Sequence, residues 1–406
     1  MSPVIEDLKI EEDDVLAEAV RTIDAAYVMH TYARLPIVFT KGAGQWLWDT
    51  SGRKYLDFLG GIAVNGVGHC HHKVVAAIQK QAAELIHTSN LYYTDPQAQL
   101  ARKLCTTSDF EKVFFCNSGA EANEAALKIA RKHGRSIRST KTNFVTAYRS
   151  FHGRTMATVT ATAQPKYQQP FRPLIPGFQY VDLNDVDALR HAVTENTCAV
   201  MLEPIQGEGG VYAAEPGFLH SAREICDENG ALLIFDEVQT GMGRTGALWA
   251  YQGYGVVPDI LTTAKALGGG FPIGACLARG AAGETFVPGD HGSTFAGNPL
   301  AASAALAVFD ALESEDLIKN AAEIGAYFKE ELQSKLAGRI IEVRGKGLII
   351  GVQLSEPIAK LVLVESMERG LILNAIGDST LRFLPPLLIT KDNVDFAVSI
   401  LEEVIT

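Results

Sequence analysis

The sequence predicts an α/β protein: a large domain on a mostly parallel sheet, followed by a smaller α+β domain. Three observations lead there. From about residue 75, segments with helical spacing alternate with short apolar runs, the pattern of strands covered by crossover helices. After about residue 315, short strands follow one another with fewer helices between them. The 406 residues, 47% hydrophobic and 20% charged, are enough for two domains with a sizeable core.

Taken in order, the first dozen residues are expected to fray. Leu16, Val20, Ile23 and Tyr27 recur at helical spacing and predict a helix before Pro36. Gln45–Asp49 and Lys54–Leu59 flank Ser51-Gly52 and predict a hairpin. Helices are expected over Lys73–Leu85, Ala120–His133 and Pro216–Asn229. Strands are expected over Val113–Cys116, Asn143–Thr146, Ala199–Glu203 and Ala231–Phe235. In the last part, Ile340–Lys346, Gly347–Leu354, Leu371–Leu373 and Thr380–Phe383 read as strands. Thr390 is placed to cap a final helix carrying Val394, Ala397, Val398, Leu401 and Ile405 on one face. The division expected is residues 1–75 as an N-terminal segment joining the smaller domain, 76–315 as the large domain and 316–406 as the C-terminal small domain.

A net charge of −11 argues against nucleic acid as a partner, because phosphate backbones require a basic face. Small anions held by a few local donors stay open. The six cysteines, at 70, 105, 116, 198, 226 and 276, form no CxxC pair, which fits a reduced, cytoplasmic setting. The acidic start, from Glu6-Asp7 to Glu11-Glu12-Asp13-Asp14, suits neither a transit peptide nor a signal peptide. No apolar run approaches membrane-spanning length, so no membrane partner is expected. His69-Cys70-His71-His72 looks like a set of metal ligands. Chain neighbours seldom converge on one ion without a second cluster, and none is visible, so no metal is expected.

The chemistry centres on Lys265. It lies among Thr, Ala and three glycines, and no other charged residue occurs between Asp259 and Arg279. Most lysines are solvated surface residues; this setting instead suits a desolvated amine that forms a Schiff base with pyridoxal phosphate. Asp236 ends an apolar run, where open α/β sheets place their sites. A carboxylate there can pair with a pyridinium nitrogen, an attraction of ~4 kcal/mol near 4 Å at an effective dielectric of about 20, or simply cap a turn. Gln239, three residues on, can reach the ring hydroxyl or the imine region. Ser118-Gly119-Ala120 opens a helix whose free N–H groups suit a phosphate, although Ser118 can equally act only as its cap. Phe151 can stack on a ring and Arg154 can fork a carboxylate; packed Phe and solvated Arg are the plainer reading. Glu203 and Glu208, five apart, make no metal site by themselves.

Together these residues resemble the class III, fold type I, pyridoxal-phosphate aminotransferases, and within them the acetylornithine aminotransferases. The resemblance runs from about Tyr32 to Thr406. It rests on Asn117–Glu124, Phe151–Thr155, Glu203–Gly210, Asp236–Gly241, Thr263–Gly274 and His291–Pro299, in the expected order. It implies Lys265 as the Schiff-base lysine and proton carrier, Asp236 as the pyridinium partner and Gln239 as the contact to the ring hydroxyl. It implies Ser118, Gly119 and Ala120 as the phosphate cup, with Phe151 stacked on the ring. Thr294 would complete the cup of a neighbouring subunit, so that a homodimer shares its active sites, and Ser293 beside it would contact substrate. Arg382 would bind the α-carboxylate of glutamate or 2-oxoglutarate, Glu208 would mask that arginine when the ω-amino donor binds, and Arg154 would hold the donor's far carboxylate.

The implied reaction moves the ω-amino group of N2-acetyl-L-ornithine to 2-oxoglutarate, in arginine biosynthesis. Ile62 stands where ornithine aminotransferases carry a tyrosine, and Phe151-His152-Gly153-Arg154 departs from their Phe-Trp-Gly-Arg. Other ω-aminotransferases stay open, acting on succinylornithine, succinyl-diaminopimelate, a carrier-bound lysine precursor, ornithine or 4-aminobutyrate. So do an aminomutase and a cofactor-binding sensor. The chain departs from the usual His-x-His-Pro at His69–His72, and Ala296 replaces a common glycine.

Overall fold

The computed structural model describes residues 14–405. The expected fraying of the first dozen residues lies outside them. Seven strands form the central sheet. In spatial order they are Lys112–Cys116, Gly274–Ala278, Ile260–Thr263, Leu232–Asp236, Thr197–Leu202, Asn143–Ala147 and Phe178–Val181. Only Gly274–Ala278 runs antiparallel to its neighbours. Thr197–Leu202 and Leu232–Asp236 are buried along their whole length, as strands covered on both faces must be.

A second, antiparallel sheet has the order Ile340–Lys346, Ile349–Leu354, Thr380–Phe383 and Asn374–Ile376. The expected hairpin is present as Trp46–Asp49 against Lys54–Asp57. Asp49 fastens its turn by accepting the Ser51 and Arg53 N–H groups. Its last strand pairs with Leu371–Ile372, so the two ends of the chain share a sheet.

The helix at Pro216–Asn229 ends, as glycine permits, on Gly230 in the left-handed region. The final helix, Lys391–Val404, is capped by Thr390. One expectation shifts. The helix expected to finish near Gly134 runs over Gly119–Ile137. Gly134 is not its stop but its point of closest packing. A Cβ there would lie 2.4 Å from the Lys141 carbonyl oxygen and 2.6 Å from Cys198 Cβ. Gly134→Ala is therefore expected to destabilise the fold by about 1–3 kcal/mol, read as a lower urea midpoint. Gly217→Ala, where nothing lies within 4 Å, should be neutral or stabilising. The helix Val15–Tyr27 forms as expected, with Leu16, Val20, Ile23 and Tyr27, the residues whose spacing marked it, exposed within a single chain.

Candidate active site

Five parallel strands release their carboxyl ends toward one cavity of about 440 Å³. Cys116 leads into Asn117–Ala120, Ala147 into Phe151–Arg154, Leu202 into Glu203, and Leu232–Asp236 ends on Asp236 itself. Ile260–Thr263 leads into Lys265. The topology thus gathers residues spread over more than a hundred positions of sequence.

Lys265 starts a short 3₁₀ turn with φ of 43°, an unusual angle for a residue with a Cβ. Its side chain lines the cavity. Burial lowers its pKa; Glu208, Asp236 and Glu203 offset part of the effect and Arg382 adds to it. The shift favours the neutral amine, the form able to attack a carbonyl or take a proton.

Asp236 is buried and held on three sides. Its Oδ2 accepts from Asn123 Nδ2 at 2.7 Å and His152 Nδ1 at 2.8 Å, and its Oδ1 from the Val238 N–H at 3.0 Å. Asn123 is fixed in turn by the Thr262 hydroxyl at 2.6 Å. The carboxylate can still face a cationic ring nitrogen across the cavity. Ser118 does cap its helix, accepting the Glu121 N–H at 3.2 Å. The N–H groups of Gly119 and Ala120 take no protein acceptor among the described residues. Both readings of Ser118 are therefore compatible: it caps, and its neighbours leave two donors pointing into an anion site.

Glu208, on the cavity wall, forms an ion pair with Arg382 behind it, Nη1 to Oε1 at 2.5 Å. Arg382 is 2% exposed and saturated: it also donates to Asn374 Oδ1, the Gly207 carbonyl and Gln239 Oε1. Burial pushes the Glu208 carboxyl up, but the charge and hydrogen bond of Arg382 outweigh it and hold the group below its ordinary value. Gln239 packs against Gly207 so closely that a Cβ at residue 207 would sit 1.8 Å from its Oε1 and would push the Gln239 amide aside.

Glu203, read from the sequence only as making no metal site with Glu208, was given no role there. It is buried on the cavity wall, and its Oε2 accepts the Phe151 N–H at 2.9 Å. Burial, then the nearby Asp236 charge, raise its pKa well above the usual carboxylate range, which favours its protonated form. The signal available was its position directly after a fully buried strand. Phe151 and Arg154 line the cavity. Val64 lines it too, whereas Ile62 is exposed and contributes nothing to the wall. Ser293 and Thr294 lie outside the cavity of their own chain: Ser293 Oγ accepts from Asn117 Nδ2 at 2.9 Å, and Thr294 is exposed.

The histidine run does gain a third group. His71, His72 and Glu315 bring one ligand atom each within 4.8 Å of one another. However, His71 Nδ1 accepts the Lys73 N–H at 3.3 Å, capping the helix His72–Glu84. A neutral ring that accepts at Nδ1 carries its proton on Nε2, the atom 3.0 Å from Glu315. That tautomer offers a proton where a metal needs a lone pair.

The donor set fits pyridoxal phosphate: free N–H groups at a helix start, Phe151 on the cavity wall, a buried carboxylate and a desolvated amine. Residues 27–405 match the family model of class-III aminotransferases. The acetylornithine aminotransferase of Methanocaldococcus jannaschii is 50% identical over 389 residues, 95% of this chain and 97% of that one. That of Gloeobacter violaceus is 52% identical over 387 residues, 93% and 95% of the two chains. Among solved structures, an ornithine aminotransferase from Toxoplasma gondii superposes with a TM-score of 0.92 at 36% identity, covering 96% of this chain and 94% of its own. An acetylornithine aminotransferase from Elizabethkingia anophelis gives 0.86 at 34%, covering 96% and 98%.

Proposed function

This chain belongs to the class III aminotransferase family, and we propose that it transfers the ω-amino group of N2-acetyl-L-ornithine to 2-oxoglutarate. The products are N-acetyl-L-glutamate 5-semialdehyde and L-glutamate, a step of arginine biosynthesis. The observation that carries the reading is the Glu208–Arg382 ion pair, in which Glu208 shares the cavity wall with Lys265 and the buried Arg382 lies behind it. A donor whose reacting end bears no carboxylate needs that arginine masked. An acceptor whose reacting carbon bears one needs it bared. A single pair that opens and closes serves both substrates of a ping-pong exchange.

Backbone superposition ranks an ornithine enzyme above an acetylornithine enzyme, while relatives near 50% identity carry the acetylornithine name. We follow the relatives, because a TM-score reports the scaffold whereas a few side chains set the donor. Bound at this site, pyridoxal phosphate supplies a carbonyl that carries the amino group and a ring that accepts electrons. The rest is work for the chain. Gly119 and Ala120 N–H groups would hold the phosphate, and Asp236 would keep the ring nitrogen protonated. Gln239 would bind the ring hydroxyl and Phe151 would pack against the ring. Lys265 Nζ would hold the cofactor and carry the proton taken from the substrate carbon. Arg154 takes the far carboxylate of the donor, and Ser293 belongs to the same substrate region.

The proposal includes a homodimer. Leu91, Tyr92, Tyr93 and Phe295 are exposed, as is the apolar face of Val15–Tyr27, and a second copy would cover them. Thr294, outside its own cavity, would then reach the partner's phosphate. A reducing, cytoplasmic setting is also proposed, supported by six cysteines that are all free. No helix among the described residues is long and apolar enough to cross a membrane.

The test is one half-reaction. Cofactor-loaded protein mixed with N2-acetyl-L-ornithine, without keto acid, should lose the cofactor's visible absorbance band at low donor concentration. An intact band that does not respond would reject this donor.

A further inference from the structure

We propose that Tyr167 is a positioning residue for donor specificity, its ring holding the Arg154 guanidinium in place for the donor's far carboxylate. The inference rests on the proposed role of Arg154. Arg154 lines the cavity yet makes no ion pair and no hydrogen bond among the described residues. What restrains it is stacking: its guanidinium carbon lies 3.9 Å from the centre of the Tyr167 ring and 5.5 Å from that of Phe151. A cation held over a ring face keeps all its N–H donors free in the plane. That is the state in which a guanidinium can fork a carboxylate without first breaking a protein contact.

The platform is itself rigid. Tyr167 sits on a single helical turn, Pro165–Gln168, with a buried glutamine on either side. Gln164 Nε2 donates to the Ser150 carbonyl at 3.0 Å. Gln168 Nε2 donates to the Thr160 and Thr162 carbonyls at 3.0 and 2.9 Å. The Tyr167 ring also meets Phe151 edge-on, with centroids 5.8 Å apart, so one ring indexes the cofactor-facing aromatic and the substrate-facing cation together. The Tyr167 hydroxyl has no partner among the described residues, which identifies the ring as the working group. Lys166 lies 4.7 Å from the same ring and adds positive charge on this side of the site.

The experiment compares two donors on the cofactor-loaded enzyme: N2-acetyl-L-ornithine and its α-carboxamide. The readout is the ratio of their kcat/KM values. Wild type should prefer the acid. Tyr167→Leu should cut that preference roughly 2–5-fold, the scale of a lost cation–π contact at an exposed guanidinium, through KM for the acid, with the amide affected much less. Tyr167→Phe should restore the wild-type ratio. Tyr167→Met gives the same reading should the leucine variant not take up cofactor. A leucine or methionine variant that keeps the ratio, or that damages both donors equally, overturns the inference. Arg154→Ala separates the levels: it should bring the ratio near one, and an unchanged ratio there would overturn the underlying role of Arg154 instead.

Discussion

Replacing Lys265 by alanine is expected to reduce turnover by roughly 10⁴-fold or more, because one amine is both the nucleophile and the proton carrier. The fold should survive. Lys265 takes a φ of 43°, but alanine carries the same Cβ, so the backbone strain is unchanged. The variant also loses a buried amine whose charged form burial already disfavours. Cofactor should still bind, since the Gly119 and Ala120 donors and the Asp236 carboxylate are untouched. The decisive reading is by mass. Borohydride treatment should leave the cofactor covalently attached to the wild-type chain and not to Lys265→Ala. Attachment to the variant, or turnover close to normal, would remove Lys265 from the mechanism.

Lys265 and Asp236 were legible in the sequence for a physical reason. A lone charge in a long neutral stretch, and an acid ending an apolar run, both signal a buried site where charge has to be used. The fold was legible where periodicity is strong, as at Pro216–Asn229 and the Asp236 strand. No strand was expected at Gly274–Ala278, where small residues follow a glycine run and leave no periodicity, although the strand lies between Lys112–Cys116 and Ile260–Thr263 in the sheet. Gly134 misled because local propensity marks a helix end, while a tertiary contact with Lys141 and Cys198 selects glycine within the helix. Glu203 and Tyr167 were hidden differently. Their importance depends on what the topology sets beside them, and neither type nor spacing betrays it. Ile62 and Val64 differ by two positions, and only the positive φ values at Gly61, Ile62 and Ala63 decide which one faces the cavity.

Arg382→Ala should slow the 2-oxoglutarate half-reaction by about 10²–10³-fold, the scale of a lost buried charge-assisted contact, and the ω-amino donor half-reaction much less. The donor never needs the guanidinium; it needs only that no bare cation meets its reacting end. Stopped-flow absorbance of each half-reaction separates the two, and equal damage would reject the gate. The same substitution strands Glu208, which is 23% exposed at its side chain and loses its only ion-pair partner among the described residues. Breaking such a pair costs about 3–5 kcal/mol before the carboxyl adjusts. The sign with pH follows from the lowered value of Glu208 in the intact pair. A depressed carboxyl contributes stability that is fully present above the ordinary carboxylate range and is lost as pH falls through the lowered folded value. In Arg382→Ala that contribution is absent at every pH. The difference in Tm between wild type and variant should therefore be largest near neutrality and shrink below about pH 4. A difference that stays constant, with the donor half-reaction equally impaired, would mean that Arg382 supports the wall of the cavity and does not act as its switch.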